Sequence, residues 1–400
     1  VGDGGGWVGG WASVLDPNLA PGRPGGHRSN PIRNNADLVD SPALTRRLLA
    51  WFDRSRRPLP WRSSRDPYLI WVSEVMLQQT MVLAVIPYYQ RFIARFPTIE
   101  ALAGAPIEEV LSVWSGLGYY RRARMLWQGA REVQALRGGL PRTAADLQLL
   151  PGIGPYTAAA IASIAFDEPV AVVDGNVIRV LTRLERIDGD PAVRKIRRQI
   201  EAAAARLVDP QRPGDSNQAL MELGALICTP RAPQCSSCPW QSDCTAKRHD
   251  QAEMYPQKAP RPALTKIERV ALWIESDKDQ RFLLCRISDR QINAGLWEFP
   301  AADRSDLSVR IGPVVATVKH TITRYRISVT LQSAELEQPT RVPDDCRWVS
   351  IGEAQLLGLT SATRKLLSQL GRATQSDLSE LPAQVADRVD PSRVRQQTES

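Results

Sequence analysis

The chain has 400 residues, too many for one ordinary core, so two domains with flanking tails are expected. Its 43% hydrophobic and 24% charged residues are those of a globular protein, and no apolar run is long enough to span a bilayer. The net charge of +8 suits an anionic partner, nucleic acid before an acidic membrane surface, although solubility alone would account for it.

Residues 1–26 hold nine of the 26 glycines, with prolines between them. Such a stretch buries too little surface to order itself, so 1–36 is predicted as a disordered extension. It lacks the basic start and apolar block of a signal peptide, and the expected location is cytoplasmic.

From about Asp37 the pattern is helical. Leu44, Leu48, Leu49 and Phe52 recur three and four apart, as do Val82, Val85, Ile86, Tyr89, Phe92 and Phe96, with Pro87 as a kink or a new start. Further helices are predicted at 69–77, 107–114, 121–136, 144–150, 155–165, 177–187, 192–207 and 217–228, and no strand in this half. Residues 246–264 are polar, basic and proline-rich and read as a linker. Beyond them, alternation at 267–275, 281–287, 314–320 and 325–332 predicts strands, and 361–370 a helix: a small α+β domain over 265–370. Residues 371–400 read as a disordered tail.

Cys228, Cys235, Cys238 and Cys244 follow C-x6-C-x2-C-x5-C. Four closely spaced thiolates supply one sulfur for each iron of a 4Fe-4S cubane; one structural zinc, and after it incidental cysteines, are the alternatives. Cys285 and Cys346 lie in strand-like contexts and are expected as buried thiols.

LPGIGPYTA (150–158) reads as a turn between two helices. Gly152 and Gly154 would allow left-handed angles and close approach, and the amides that open the next helix would grip a phosphate; an ordinary helix–helix turn is the plainer alternative. In WSGLGYYRRAR (114–124), Leu117 and Tyr119 sit on a glycine-punctuated turn that would enter a base stack, with arginines including Arg122 holding phosphates. The alternative puts the tyrosines in the core and the arginines on a solvated face.

Two carboxylates complete the set. Glu74 lies in the apolar run WVSEVMLQQT (71–80), where burial would raise its pKa and keep it protonated as a general acid. Asp174, in VDGNVIRV (173–180), precedes a helix whose N-terminus would favour the anion. An acid beside a charge stabiliser is the logic of glycoside cleavage. A plain cap for Asp174 and a stray surface position for Glu74 are the alternatives.

These segments, with PLPWR (58–62), NQALMELGALICTP (217–230) and GLWEFP (295–300), resemble the helix–hairpin–helix DNA glycosylases of the endonuclease III-like superfamily, within them the adenine-releasing MutY family. The resemblance implies a mainly α glycosylase fold over 37–245, with the helix–hairpin–helix at 144–166 and an iron–sulfur cluster loop at 228–244, plus a C-terminal α+β MutT-like domain. It implies a monomer that hydrolyses the N-glycosidic bond of adenine opposite 8-oxoguanine or guanine in double-stranded DNA, with Glu74, Asp174, Tyr156 and Asn176 catalytic. Arg62, Trp61 and Glu222 would contact the adenine, and Gln78, Gln79, Thr80, Leu117, Tyr119 and Arg122 the space around the estranged base; Glu222 reads alternatively as a solvated helix residue. Tyr156 stands where lyase relatives carry a lysine, and a phenol forms no Schiff base, so base release without strand cleavage is expected. In the second domain, Glu298-Phe299-Pro300 is followed by AADRSDLS rather than clustered glutamates, so nucleotide hydrolysis is not expected. Val318-Lys319-His320 matches the turn that reads 8-oxoguanine at His320 alone. A thymine or uracil mismatch glycosylase and a non-catalytic DNA-damage binding protein are the competing readings.

Overall fold

The computed structural model describes residues 41–376 apart from 137, 261–262, 277–278, 289–292, 323–324 and 338–341. The extension 1–36 and the tail beyond residue 376 lie outside the described residues.

Twelve helices form the first lobe among the described residues: α1 (Ser41–Ser55), α2 (Pro67–Leu77), α3 (Val82–Arg95), α4 (Ile99–Gly104), α5 (Ile107–Trp114), α6 (Arg121–Leu136), α7 (Ala144–Leu147), α8 (Pro155–Phe166), α9 (Gly175–Leu184), α10 (Arg194–Ala205), α11 (Pro213–Leu226) and α12 (Thr245–Arg248). Helix α2 is the axis of this lobe. Asp66 caps it by accepting from the amides of Tyr68 and Leu69, Pro67 opens it, and its side chains from Ile70 to Met76 are buried. A helix apolar on every side belongs inside a bundle. Helix α8 packs against α2, and its run from Thr157 to Ser163 of small side chains around Ile161 is likewise buried. Pro87 neither breaks nor restarts α3, which runs through it.

The second lobe has two three-stranded sheets, ordered β1-β5-β4 and β3-β2-β6. Its elements are β1 (Thr265–Ile274), β2 (Phe282–Arg286), β3 (Trp297–Glu298), β4 (Val309–Ile322), β5 (Tyr325–Leu336), β6 (Cys346–Val349), α13 (Ile351–Gln355) and α14 (Ser361–Ser376). Strands β1 and β5 run parallel, and β4 pairs antiparallel with β5. Phe282, Leu284, Phe299, Leu331, Val349 and Leu366 share the core between the sheets and α14. Among the described residues no helix lies between β3 and β4.

Three sequence expectations change here. Cys285 and Cys346 are not thiols: they face each other in the β2–β6 register and are joined as a disulfide, a pairing visible only once the strands are aligned. The linker does not begin at 246: the Tyr255 hydroxyl donates to Asp188, and Asp190 accepts from the Ala259 amide, so the chain stays bound to the helical lobe to that point. Helix α14 continues six residues into the expected tail.

The lobes meet along α5 and α6. The Tyr120 hydroxyl donates to the carbonyl of Leu359 (2.9 Å), Ser112 to that of Leu356 (2.8 Å), and the Arg124 guanidinium to that of Ala294 (2.5 and 3.1 Å). Ile287 and Leu296 of the second lobe belong to the same buried cluster as Leu111, Trp114 and Leu117.

Candidate active site

Glu74 and Asp174 line one cavity of about 180 Å³ between α2, α8, α9 and α11. Glu74 is buried in mid-α2 and accepts one hydrogen bond, from the Tyr156 hydroxyl at 2.8 Å. Burial pushes its carboxyl up to about 7, against the pull of that hydrogen bond and assisted by the nearby charge of Asp174. The phenol of Tyr156 is raised well above its ordinary value by burial and by Glu74, so it remains a donor.

Asp174 caps α9. Its oxygens accept from the Val177 amide (2.7 Å) and from Asn176 Nδ2 (2.8 Å). The cap was legible in the sequence, but the direction of the pKa was not. Burial raises Asp174 above its ordinary value, and the two donors and Arg179 offset this only in part. The carboxyls are therefore both raised rather than driven apart. They differ in support: several groups hold the anion of Asp174, and one hydroxyl meets Glu74.

Asn176 is itself fixed. Its Oδ1 accepts from Arg179, whose Nη2 and Nε also donate to the carbonyls of Gly224 and Cys228. A Cβ on Gly224 would stand 2.6 Å from that of Asn176, so only glycine lets α11 approach this closely.

The opposite wall carries Glu222, 1% exposed, which excludes the solvated reading. Its carboxylate accepts from the backbone and guanidinium of Arg57 (2.6–3.0 Å) and from Arg62 (3.0 and 3.2 Å). Burial alone would raise this carboxyl, but the two arginines outweigh it and hold it at about 2. Both oxygens already accept from arginines, so Glu222 holds Arg57 and Arg62 in place while lining the cavity itself. Trp61 lines the same wall, edge-on to Tyr89. Arg57, Gln218 and Met221 line the cavity and were not foreseen. Arg57 follows Arg54 and Arg56, a run that reads as the solvated end of α1.

Thr80 reaches the cavity, whereas Gln78 donates to Thr157 (3.2 Å) and Gln79 is exposed with φ of 56°. Tyr119 is 43% exposed, but Leu117 is 8% exposed and points into the core, because the turn from α5 to α6 buries it beside Trp114. Arg122 also turns inward, onto the end of α2, and does not face outward for a phosphate. Gly152 has the left-handed φ of 75° expected of the α7–α8 turn; Gly154 caps α8 at φ −85° and needs no such freedom.

The comparisons with known proteins bear on this site. Residues 72–206 match the model of the HhH-GPD superfamily base excision DNA repair protein, and residues 270–369 that of the NUDIX domain. The chain is 38% identical to the adenine DNA glycosylase of Mus musculus, over 84% of this chain and 79% of that one. It belongs to the adenine DNA glycosylase family. The Homo sapiens adenine DNA glycosylase is 36% identical over 82% of this chain and 74% of its own. The Rattus norvegicus one is 53% identical over 54% of this chain and 44% of its own. Among solved structures, a thermostable thymine-DNA glycosylase is 29% identical, with a TM-score of 0.47 over 52% of this chain and 97% of its own. The adenine DNA glycosylase family accounts for both lobes, a helical base-excision enzyme joined to a Nudix-type domain.

In this member of the adenine DNA glycosylase family, Cys228, Cys235, Cys238 and Cys244 are free and line one small cavity of about 30 Å³ with Arg183 and Lys247. Among the described residues, no group of three or more His, Cys, Asp or Glu side chains is arranged to hold a single metal ion. Four thiols lining one cavity are a donor set that fits a thiolate-held group. Arg183 is 2% exposed and donates to Cys228 Sγ at 3.3 Å, a buried cation placed for thiolate charge that the sequence did not flag.

Val318, Lys319 and His320 form no turn. They lie within β4, opposite Val329, Ser328 and Ile327 of β5. Lys319 is exposed, and the partly buried His320 has an unpartnered Nδ1. Burial, then Lys365 and Arg269, lower the His320 pKa and favour the neutral ring.

Proposed function

We propose that this enzyme hydrolyses the N-glycosidic bond of adenine mispaired with 8-oxoguanine or guanine in duplex DNA, without cleaving the strand. The observation that carries the reading is the single cavity shared by Glu74 and Asp174, one protonated near neutral pH and the other held by anion-favouring donors. The bond is out of reach inside the stack, so the adenine leaves the duplex and enters the cavity. Arg57 and Arg62, locked by Glu222, face the base with Trp61. Glu74 gives its proton to a ring nitrogen of adenine, so the leaving group departs neutral. The sugar becomes oxocarbenium-like, and the carboxylate of Asp174, oriented by Asn176, stabilises that charge. Glu74, now anionic, takes a proton from the attacking water, and Tyr156 steadies both states of it.

The amides at the start of α8, beside Gly152 and Gly154, would hold a backbone phosphate. The four cysteines would hold a 4Fe-4S cluster, which supplies a cross-link within the loop and needs no part in the reaction. Gln79, Thr80 and Tyr119 would meet the estranged base, and His320 the 8-oxoguanine. The active species would be a monomer.

The test is single-turnover base release from duplexes carrying adenine opposite 8-oxoguanine, guanine or thymine, with strand breaks scored with and without hot alkali. Release opposite 8-oxoguanine and guanine, with breaks only after alkali, is expected. Thymine release instead of adenine, or breaks without alkali, would overturn the reading.

A further inference from the structure

Arg122 is the second residue of α6, and its guanidinium is spent almost wholly on oxygens of two turns. Nη1 donates to the carbonyls of Val75 (2.9 Å), Met76 (2.9 Å) and Gln78 (2.5 Å). These belong to the end of α2, where carbonyls lack helical partners and the helix dipole favours a cation. Nη2 donates to Thr80 Oγ1 and to the carbonyl of Gly118, each at 3.2 Å. The same guanidinium lies 5.3 Å from the centre of the Tyr119 ring and 5.5 Å from that of Trp114. One planar cation thus joins the turn after α2 to the turn before α6.

Both turns are held in uncommon backbone conformations. Gln79 and Tyr119 have φ of 56° and 49°, a region that residues other than glycine rarely adopt, and each side chain is exposed. A lysine could not replace the fork, since its donors radiate from one point and cannot span two turns while stacking on a ring.

We propose that Arg122 is a positioning residue that makes the two turns one rigid two-pronged edge, with Gln79 and Tyr119 as the prongs that fill the stack when adenine is extruded. This rests on the glycosylase reading of the neighbouring cavity. Its effect falls on extrusion, before any bond is broken. The prongs fill the gap together only at a fixed separation, and Arg122 sets that separation.

The experiment compares full-length wild type with Arg122→Lys. Extrusion is read from the fluorescence of 2-aminopurine in place of the adenine opposite 8-oxoguanine, and chemistry from single-turnover adenine release. Expected in the variant are a fluorescence rise reduced several-fold, release slowed about 10- to 100-fold, and the same pH midpoint. The deficit should shrink when the adenine faces an abasic site, where extrusion costs less. An unchanged fluorescence rise overturns the proposal, and so does an equal deficit on both duplexes with a displaced pH midpoint. Should Arg122→Lys fail to fold by circular dichroism, Thr80→Val removes one acceptor of the clamp, and the same two readouts then decide with a smaller loss expected. If wild type releases no adenine from any duplex, the functional reading fails, while the fluorescence comparison still reports on Arg122.

Discussion

The two walls of the cavity treat the same functional group in opposite ways. Glu74 and Glu222 are both glutamates in mid-helix, and both side chains are buried. Glu74 meets one hydroxyl, and burial pushes it up to about 7; Glu222 meets two guanidiniums, and they hold it at about 2 despite burial. Burial alone therefore does not set a carboxyl's role, and the number of cations that share its oxygens does. The first wall can exchange a proton at neutral pH. The second cannot, and holds a shape instead.

The largest break in this contrast is Glu74→Gln. Without an exchangeable proton, single-turnover release should fall by about 10³-fold or more, while duplex affinity in a binding assay stays within a few-fold. The same change should stabilise the fold. A carboxyl whose pKa rises on folding binds its proton more tightly when folded, so stability falls as pH rises from 4.5 to about 7. Glu74→Gln removes that cost, on the order of 3 kcal/mol above pH 7, and the melting temperature should rise there and change little near pH 4.

Glu222→Gln attacks the other wall and should act on stability. It leaves Arg57 and Arg62 without their anion, at a cost of about 3 kcal/mol by chemical denaturation. In the parent, that contribution is complete above pH 4.5 and lost only as pH falls toward about 2. A variant as stable as the parent would mean the arginines find water instead.

A pH series sharpens the contrast without mutation. Glu74 must be protonated to act, so release should decline through about pH 7, approaching tenfold per unit above it. Glu222 should add no inflection in that range. The smallest effect is expected for Gly224→Ala, whose methyl must displace Asn176 and with it the donor to Asp174. Release should slow several-fold, and a normal rate would show that the helices give way easily.

The first wall was legible because a carboxylate inside an apolar helical run has few explanations. The second was not: Glu222 depends on Arg57, 165 positions away, and nothing in a run of arginines says which one turns inward. Arg122 was misread for the same reason, since a basic residue opening a helix looks the same whether it faces water or a neighbouring helix end. Asp174 shows the limit of local rules, because its cap could be read but not the burial that reverses its pKa. The helices α5 and α6 were bounded correctly by the turn between them. The strand β3, two residues long, carries too little periodicity to be seen.

The seam between the lobes constrains any attempt to divide the protein. Leu296 and Ile287 are bricks of the first lobe's interior although the chain supplies them from the second, and Tyr120 spends its hydroxyl across the same boundary. A truncation at residue 264 would not free a finished catalytic half. It would strip the roof from Leu111 and Trp114 and leave a greasy scar against the turn that carries Tyr119.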